Sequence, residues 1–335
     1  MPLQFGHREN IVIHRIPKVQ NDFPSNSNKS SRDLTFDIAR ALCMLWIIGV
    51  WHIFDYIDHS EVLKTNLDVV TMSVLACFTF ISGYFLGKKY SPPLTFYYNR
   101  FKRFYVLFVV ACILMLGKKQ FILSVTGLCN FILPQPYTLW YMAMLLLFYI
   151  VTPFILAGGG KSTKLQLLLR GLTTWVMLRV FQYFDMMDVR VPYYFLFYIL
   201  GLMTTKPIYE KAMNCKYWLL GLSCLTVILC MVISPLSYLV SFFGMVTIII
   251  VSSILKDMNF LTFNRVMAFV AYSSLCAYLY HRPIYRIFKT RLADENGLLS
   301  LCYTPLMVLT VIFVSWIIQR TYDGFVLRIF DKIKM

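Results

Sequence analysis

Residues 37–56 read DIARALCMLWIIGVWHIFDY. Eleven uncharged residues, nearly all apolar, stand between Arg40 and His52. The stretch is about twenty residues long, the length a helix needs to cross a bilayer. A plain spanning helix needs neither the cation at its start nor the imidazole three turns later. An ionisable group within a bilayer costs free energy, so both positions are candidates for function.

Similar apolar runs recur along the chain. Of 335 residues, 59% are hydrophobic and 14% charged, whereas a soluble domain is nearer half and a quarter. The runs are continuous rather than alternating, which argues against a transmembrane barrel. The expected fold is all-α, a polytopic membrane bundle of about ten spans near 37–56, 67–86, 103–117, 138–156, 165–183, 191–205, 217–234, 236–255, 263–281 and 302–320. The short apolar piece at 121–133 reads as interfacial or re-entrant. Residues 1–33 are polar, with no apolar segment of the signal-peptide kind, and read as a mobile cytosolic tail before a membrane domain at 34–335.

The formal charge of +16 does not point to nucleic acid. The basic residues sit mainly between the apolar runs, where they set topology and meet anionic lipid. With the N-terminus inside, 21 of the 32 Lys and Arg fall in cytosolic segments, 8 in outer loops and 3 within spans. Both termini are therefore expected in the cytosol. Arg40 then lies near the cytosolic face. His52, about 18 Å along the helix, lies in the outer half of the membrane. The nine cysteines are scattered through apolar runs without CxxC or metal-ligand spacing, so no metal site is expected.

His52 has the chemistry of a general base, since imidazole titrates near neutrality. Asp55, three residues on, and Asp58 beyond it are placed to orient the ring; an interfacial histidine in an aromatic belt with Trp51 and Tyr56 is the plainer alternative. In NRFKRFY (99–105), Arg100 and Arg103 are one helical turn apart beside Lys102, a pattern suited to phosphate oxygens or to simple anchoring. Ser82 and Gly83 in FTFISGYFLG (78–87) permit close helix packing. Tyr137, Trp140 and Tyr141 open a later span. His281 lies on the same outer side as His52, and Arg179 is an intramembrane cation that either pairs with Asp185 or meets substrate.

Taken in order, these stretches resemble acyltransferase family 3, the polytopic membrane O-acyltransferases of surface polysaccharides. FDIARALCMLWIIGVWHIF is similar to the family's Arg-to-His helix and FTFISGYFLG to its aromatic–Ser-Gly–aromatic element. NRFKRFY resembles its Arg-x-x-Arg motif. TLWYMAMLLLFYIVTPFI, YFLFYILGL and AYSSLCAYLYHRPIY resemble three later segments. One departure stands out: the family usually has ten residues between Arg and His, and here there are eleven. On a regular helix that extra residue turns His52 about 120° away from Arg40, unless a bulge at Gly49 restores the face.

The resemblance implies transfer of an acyl group, most often acetyl, from cytosolic acyl-CoA to a sugar hydroxyl of a surface glycan or its lipid-linked precursor. It implies catalysis by His52, Asp55 and Arg40, acyl-CoA held by Arg100, Lys102 and Arg103, and substrate contacts from Ser82, Trp140, Tyr141, Arg179 and His281. Acyl-CoA is then a donor substrate rather than a bound cofactor. The expected partners are membrane lipid and the glycan acceptor, and the expected location is the cell (inner) membrane. A glycan or lipid exporter is the alternative, and it predicts repeat symmetry or broken helices near mid-membrane.

Overall fold

The structure, a computed structural model, describes residues 33–52, 61–87, 92–132, 139–158, 163–233, 237–292 and 297–333. Asp55, Asp58 and Tyr137 lie outside the described residues, as do residues 1–32 of the N-terminal tail.

Among the described residues the fold is helical, without strands. Helix α1 (Leu34–Trp46) continues through a π turn at Ile47–Trp51 to His52. Helix α2 (Glu61–Gly87) follows. Next, α3 (Pro93–Arg100) passes through a second π turn (Phe101–Tyr105) into α4 (Val106–Met115). The short apolar piece is α5 (Lys118–Val125) with a 3-10 turn at Leu128–Asn130. Then come α6 (Trp140–Ile155), α7 (Lys164–Tyr183), α8 (Arg190–Met203) and the short α9 (Lys206–Asn214). The chain ends with α10 (Lys216–Ile233), α11 (Ser237–Asp257), α12 (Leu261–Leu292), α13 (Gly297–Thr321), a third π turn (Tyr322–Val326) and α14 (Leu327–Ile333).

Among the described residues helix falls in each of the ten expected stretches, but fewer of these helices have the length and hydropathy of a span. Among the described residues four helices are long and apolar enough to cross a membrane: Leu34–Trp51, Leu63–Gly87, Tyr238–Asp257 and Thr304–Phe330. A fifth qualifies if α9 and α10, bent by 83° at their junction, count as one. Helices α6 and α8 are apolar but have only 16 and 14 residues, below the usual spanning length. In α12 and the α3–α4 pair, basic residues interrupt the apolar run.

The outside of this bundle is apolar. Trp218 is 86% exposed and Leu94 84%, and Ile113, Leu114, Phe154 and Phe313 are also exposed. Water would disfavour so much exposed apolar surface, whereas lipid accepts it. Inside lies one continuous core rich in aromatic rings, including Phe36, Tyr84, Phe108, Phe148, Phe195 and Tyr285.

The tightest helix crossing is built from glycines. A Cβ on Gly83 of α2 would strike the carbonyl oxygen of Tyr198 in α8, and one on Gly87 the carbonyl of Leu202. From the other side, a Cβ on Gly201 would strike the Phe80 carbonyl. Backbones this close gain dispersion contacts that larger residues would forbid. The packing reading of SGYFLG is therefore the one its geometry supports. Ser82 spends its hydroxyl proton on the Phe78 carbonyl of its own helix, at 2.9 Å.

Candidate active site

The π turn in α1 answers the spacing problem. The amide N–H of His52, which in a regular α-helix would go to Ile48, goes instead to the Ile47 carbonyl. One residue is thereby added without advancing the helical face by a full step. The turn contains Gly49, the residue expected to allow it. The freed Ile48 carbonyl does not go unused: the hydroxyl of Tyr285 on α12 donates to it. The second π turn repeats the pattern. There the Val106 N–H goes to Phe101, and the carbonyl of Lys102 accepts the Tyr322 hydroxyl.

Carried round by that turn, His52 meets α12. Its ring stacks on His281, with centroids 4.5 Å apart and planes at 26°. His281 is 1% exposed and His52 9%. The neighbouring residue on α12, Arg282, donates from its terminal nitrogen to Nδ1 of His52 at 2.6 Å. A guanidinium only donates, so Nδ1 of His52 accepts, and in the neutral ring the hydrogen sits on Nε2. His281 is arranged the other way. Its Nδ1 faces two carbonyls of its own helix, Tyr278 at 2.8 Å and Ala277 at 3.1 Å. Carbonyls only accept, so Nδ1 of His281 donates. Its Nε2 is buried and has no hydrogen-bond partner among the described residues.

Aromatic rings extend from this pair. Tyr278 lies edge-on to His281 at 5.9 Å, and Tyr141 packs on Tyr278 at 5.6 Å. Tyr141 touches both Trp140 and Tyr194. At the far end the Arg190 guanidinium lies 4.0 Å over the Trp140 ring. Asp188 holds that guanidinium with both carboxylate oxygens, at 2.8 and 2.7 Å. The loop carrying Asp188 is fixed by the small α5 unit, where the Asn130 carbonyl accepts the Asp188 N–H. Burial pushes the Asp188 carboxyl up, but the hydrogen bonds and charge of Arg190 outweigh it and hold the group below the usual carboxylate range.

Three residues had the chemistry to donate to an oxyanion: Ser82, Trp140 and Tyr141. Ser82 is engaged as described. The proton of Thr79 goes to the Leu75 carbonyl, so Tyr141 must spend its own on the Thr79 oxygen at 3.0 Å. The indole N–H of Trp140 makes no hydrogen bond within the described residues.

Other expected residues stand apart from the histidines. Arg40 pairs with Asp37 one turn earlier and lies over the Phe85 ring at 5.7 Å. Arg179 bonds Gln182 of its own helix at 2.6 Å rather than Asp185, because a side chain three residues on lies nearer than the loop, where Asp185 takes a left-handed φ of 55°. Arg100 is half-buried over Phe96 and Tyr149, at 5.8 and 5.6 Å. It lines a cavity of about 180 Å³ with Tyr97, Phe104 and Tyr149, and its Nε is buried without a partner among the described residues. The π turn then carries Arg103 to an exposed position, so the two guanidinia do not share one environment as a regular turn would have them do. Lys102 is buried, its ammonium 5.4 Å from the Tyr98 ring.

Sequence reasoning did not assign Arg282, Arg190, Asp188, Tyr194 or Tyr278 to the site. Part of the signal was present. Tyr278, His281 and Tyr285 recur at three and four residues and so share one face of α12. Arg190 on Trp140 carried no such signal, since fifty residues separate them.

A family model described as an acyltransferase domain matches residues 33–320. The chain belongs to acyltransferase family 3. The match takes in both histidines, the Arg-x-x-Arg segment and the glycine crossing, leaving only the tail and the last turns. Comparison with characterised proteins and with solved structures gives no match. With its apolar exterior and spanning helices, this member of acyltransferase family 3 is an integral membrane protein.

Proposed function

We propose that the protein transfers an acyl group, acetyl in the simplest case, from cytosolic acyl-CoA to a sugar hydroxyl of a surface polysaccharide or its lipid-linked precursor. The observation that carries this reading is the buried, stacked imidazole pair beside Arg282, inside a chain of an acyltransferase family. Acyl transfer to a hydroxyl needs a group that takes a proton at neutral pH and gives it back. The pair supplies that group where water is scarce. The half-buried Arg100 beside its cavity, with Lys102 and Arg103 near, would bind the CoA phosphates. In this reading the protein sits in the inner membrane with both termini in the cytosol. In this scheme the thioester arm of the donor passes Arg40 on its way from the phosphate site to the histidines.

Mass spectrometry of surface glycans from a strain lacking the protein tests this reading. The expected result is loss of one acyl mass per modified residue, restored by the wild-type protein and not by His52→Ala. Unchanged glycans, together with purified protein that releases no CoA thiol in the presence of acceptor, would sink it.

A further inference from the structure

We propose that His281, through its Nε2, is the base that takes the proton from the acceptor hydroxyl, and that His52 acts as a hydrogen-bond donor rather than as the base. The inference rests on the acyl-transfer reading and assigns the roles within its histidine pair.

A neutral imidazole has one N–H and one lone pair. In His52 the lone pair on Nδ1 already accepts from Arg282, so Nε2 carries the hydrogen. To act as a base, His52 would have to give up that bond or take a second charge 2.6 Å from a guanidinium nitrogen. In His281 the hydrogen is fixed on Nδ1 by the carbonyls of Tyr278 and Ala277. The lone pair on Nε2 is thus fixed in direction, buried, and without a hydrogen-bond partner among the described residues. A buried acceptor left unmade costs free energy, and a substrate hydroxyl donating to it removes that cost.

Nε2 of His281 takes the hydroxyl proton as the sugar oxygen forms a bond to the thioester carbonyl carbon. The carbon–sulfur bond then breaks, CoA leaves as thiolate, and the proton on Nε2 passes to the sulfur. The products are the acyl ester and free CoA thiol, with His281 neutral again. During attack, the Nε2–H of His52 is a donor for the carbonyl oxygen as it gains negative charge.

Two measurements test this. The first needs no turnover: ¹⁵N shifts of histidine-labelled protein in detergent, assigned by loss of signal in His281→Asn and His52→Gln. The expected result is a neutral Nδ1–H tautomer for His281 and an Nε2–H tautomer for His52; the opposite pair overturns the proposal. The second is turnover of acyl-CoA with acceptor. Asparagine at 281 keeps a donor toward the two carbonyls but has no base, so His281→Asn should lower kcat roughly 10²–10⁴-fold with acyl-CoA binding unchanged. His52→Gln keeps an N–H near the Nε2 position and should retain more turnover than His281→Asn. A folded His281→Asn protein within tenfold of wild type, or one that outperforms His52→Gln, overturns the assignment. An inactive wild type with the expected tautomers would fail the acyl-transfer reading instead, so the two failures are distinguishable.

Discussion

Arg282 holds one nitrogen of His52, and that contact sets which side of the ring carries hydrogen. Removing it should scramble the tautomer: Arg282→Ala is expected to give a mixed Nδ1–H and Nε2–H population for His52 by ¹⁵N shifts, and to lower kcat more than it changes the KM for acyl-CoA. Lysine in its place keeps the charge but not the planar fork, so Arg282→Lys should rescue only part; full rescue would show that charge alone matters. The acidic partner of Arg190 makes a separate forecast. Because the folded Asp188 carboxyl sits below its ordinary range, its contribution to stability is present above about pH 4 and is lost as pH falls through the folded value. Melting temperature measured from pH 7 downward should fall more steeply for wild type than for Asp188→Asn. Parallel curves would show that the carboxylate contributes nothing. At this scale part of the grouping of side chains was legible in the sequence. His52, His281, Trp140 and Tyr141 all stand in or beside one aromatic cluster, whereas Arg179 does not. Hydrogen-bond direction, which decides the roles of the histidines, depends on partners 230 residues apart, and no local pattern carries it.

Helix α1 shows why periodicity reading stops short. A period of 3.6 assumes every turn is alike, and three π turns break that assumption. The extra residue before His52 was visible in the motif spacing, and Gly49 marked where the chain absorbs it. The second π turn had no such marker, so Arg100 and Arg103 read as a matched pair. Deletions test this directly. Removing Gly49 should convert the π turn to a regular one and leave His52 facing α12, with protein level and turnover within a few-fold of wild type. Removing Leu42, in the regular part of α1, rotates everything after it by about 100° and should abolish activity. Equal damage from both deletions would mean that the π turn does not buffer the register. The α2–α8 crossing gives a second element-scale forecast. Gly83→Ala or Gly201→Ala puts a methyl group into backbone and should cost at least the roughly 1–3 kcal/mol of overpacking, read as loss of thermal stability in detergent. Gly221→Ala meets nothing within 4 Å and should be neutral or slightly stabilising.

For the whole molecule, composition alone pointed to an apolar helical bundle, and the exposed Trp218, Leu94 and Phe154 agree with it. The number of crossings was less legible. Hydropathy counts apolar runs, but α6 and α8, though apolar, have only 16 and 14 residues, below the usual spanning length. The expected placement of loops rests on Lys and Arg excess, and reporter fusions check it. A fusion at Lys206 should report cytosol, and one at Lys118 the outer side. The reversed pattern would put the histidines on the donor's side of the membrane and remove the need for a path between them.

Tyr285 and Arg282 lie within one turn of α12 and both seize the end of α1, one by the Ile48 carbonyl and the other by the His52 ring. The two helices are thereby riveted at the level of the chemistry and behave as a single jaw. Across from it, α6 meets α12 at this level through the faces and edges of Tyr141 and Tyr278, with no hydrogen bond between those rings. An acceptor that parts the α6–α12 seam here separates rings and breaks no hydrogen bond between them. A cysteine cross-link that ties α1 to α12 should leave turnover intact, whereas one that ties α6 to α12 should stop it, because a hinge works only if its second leaf is free to swing.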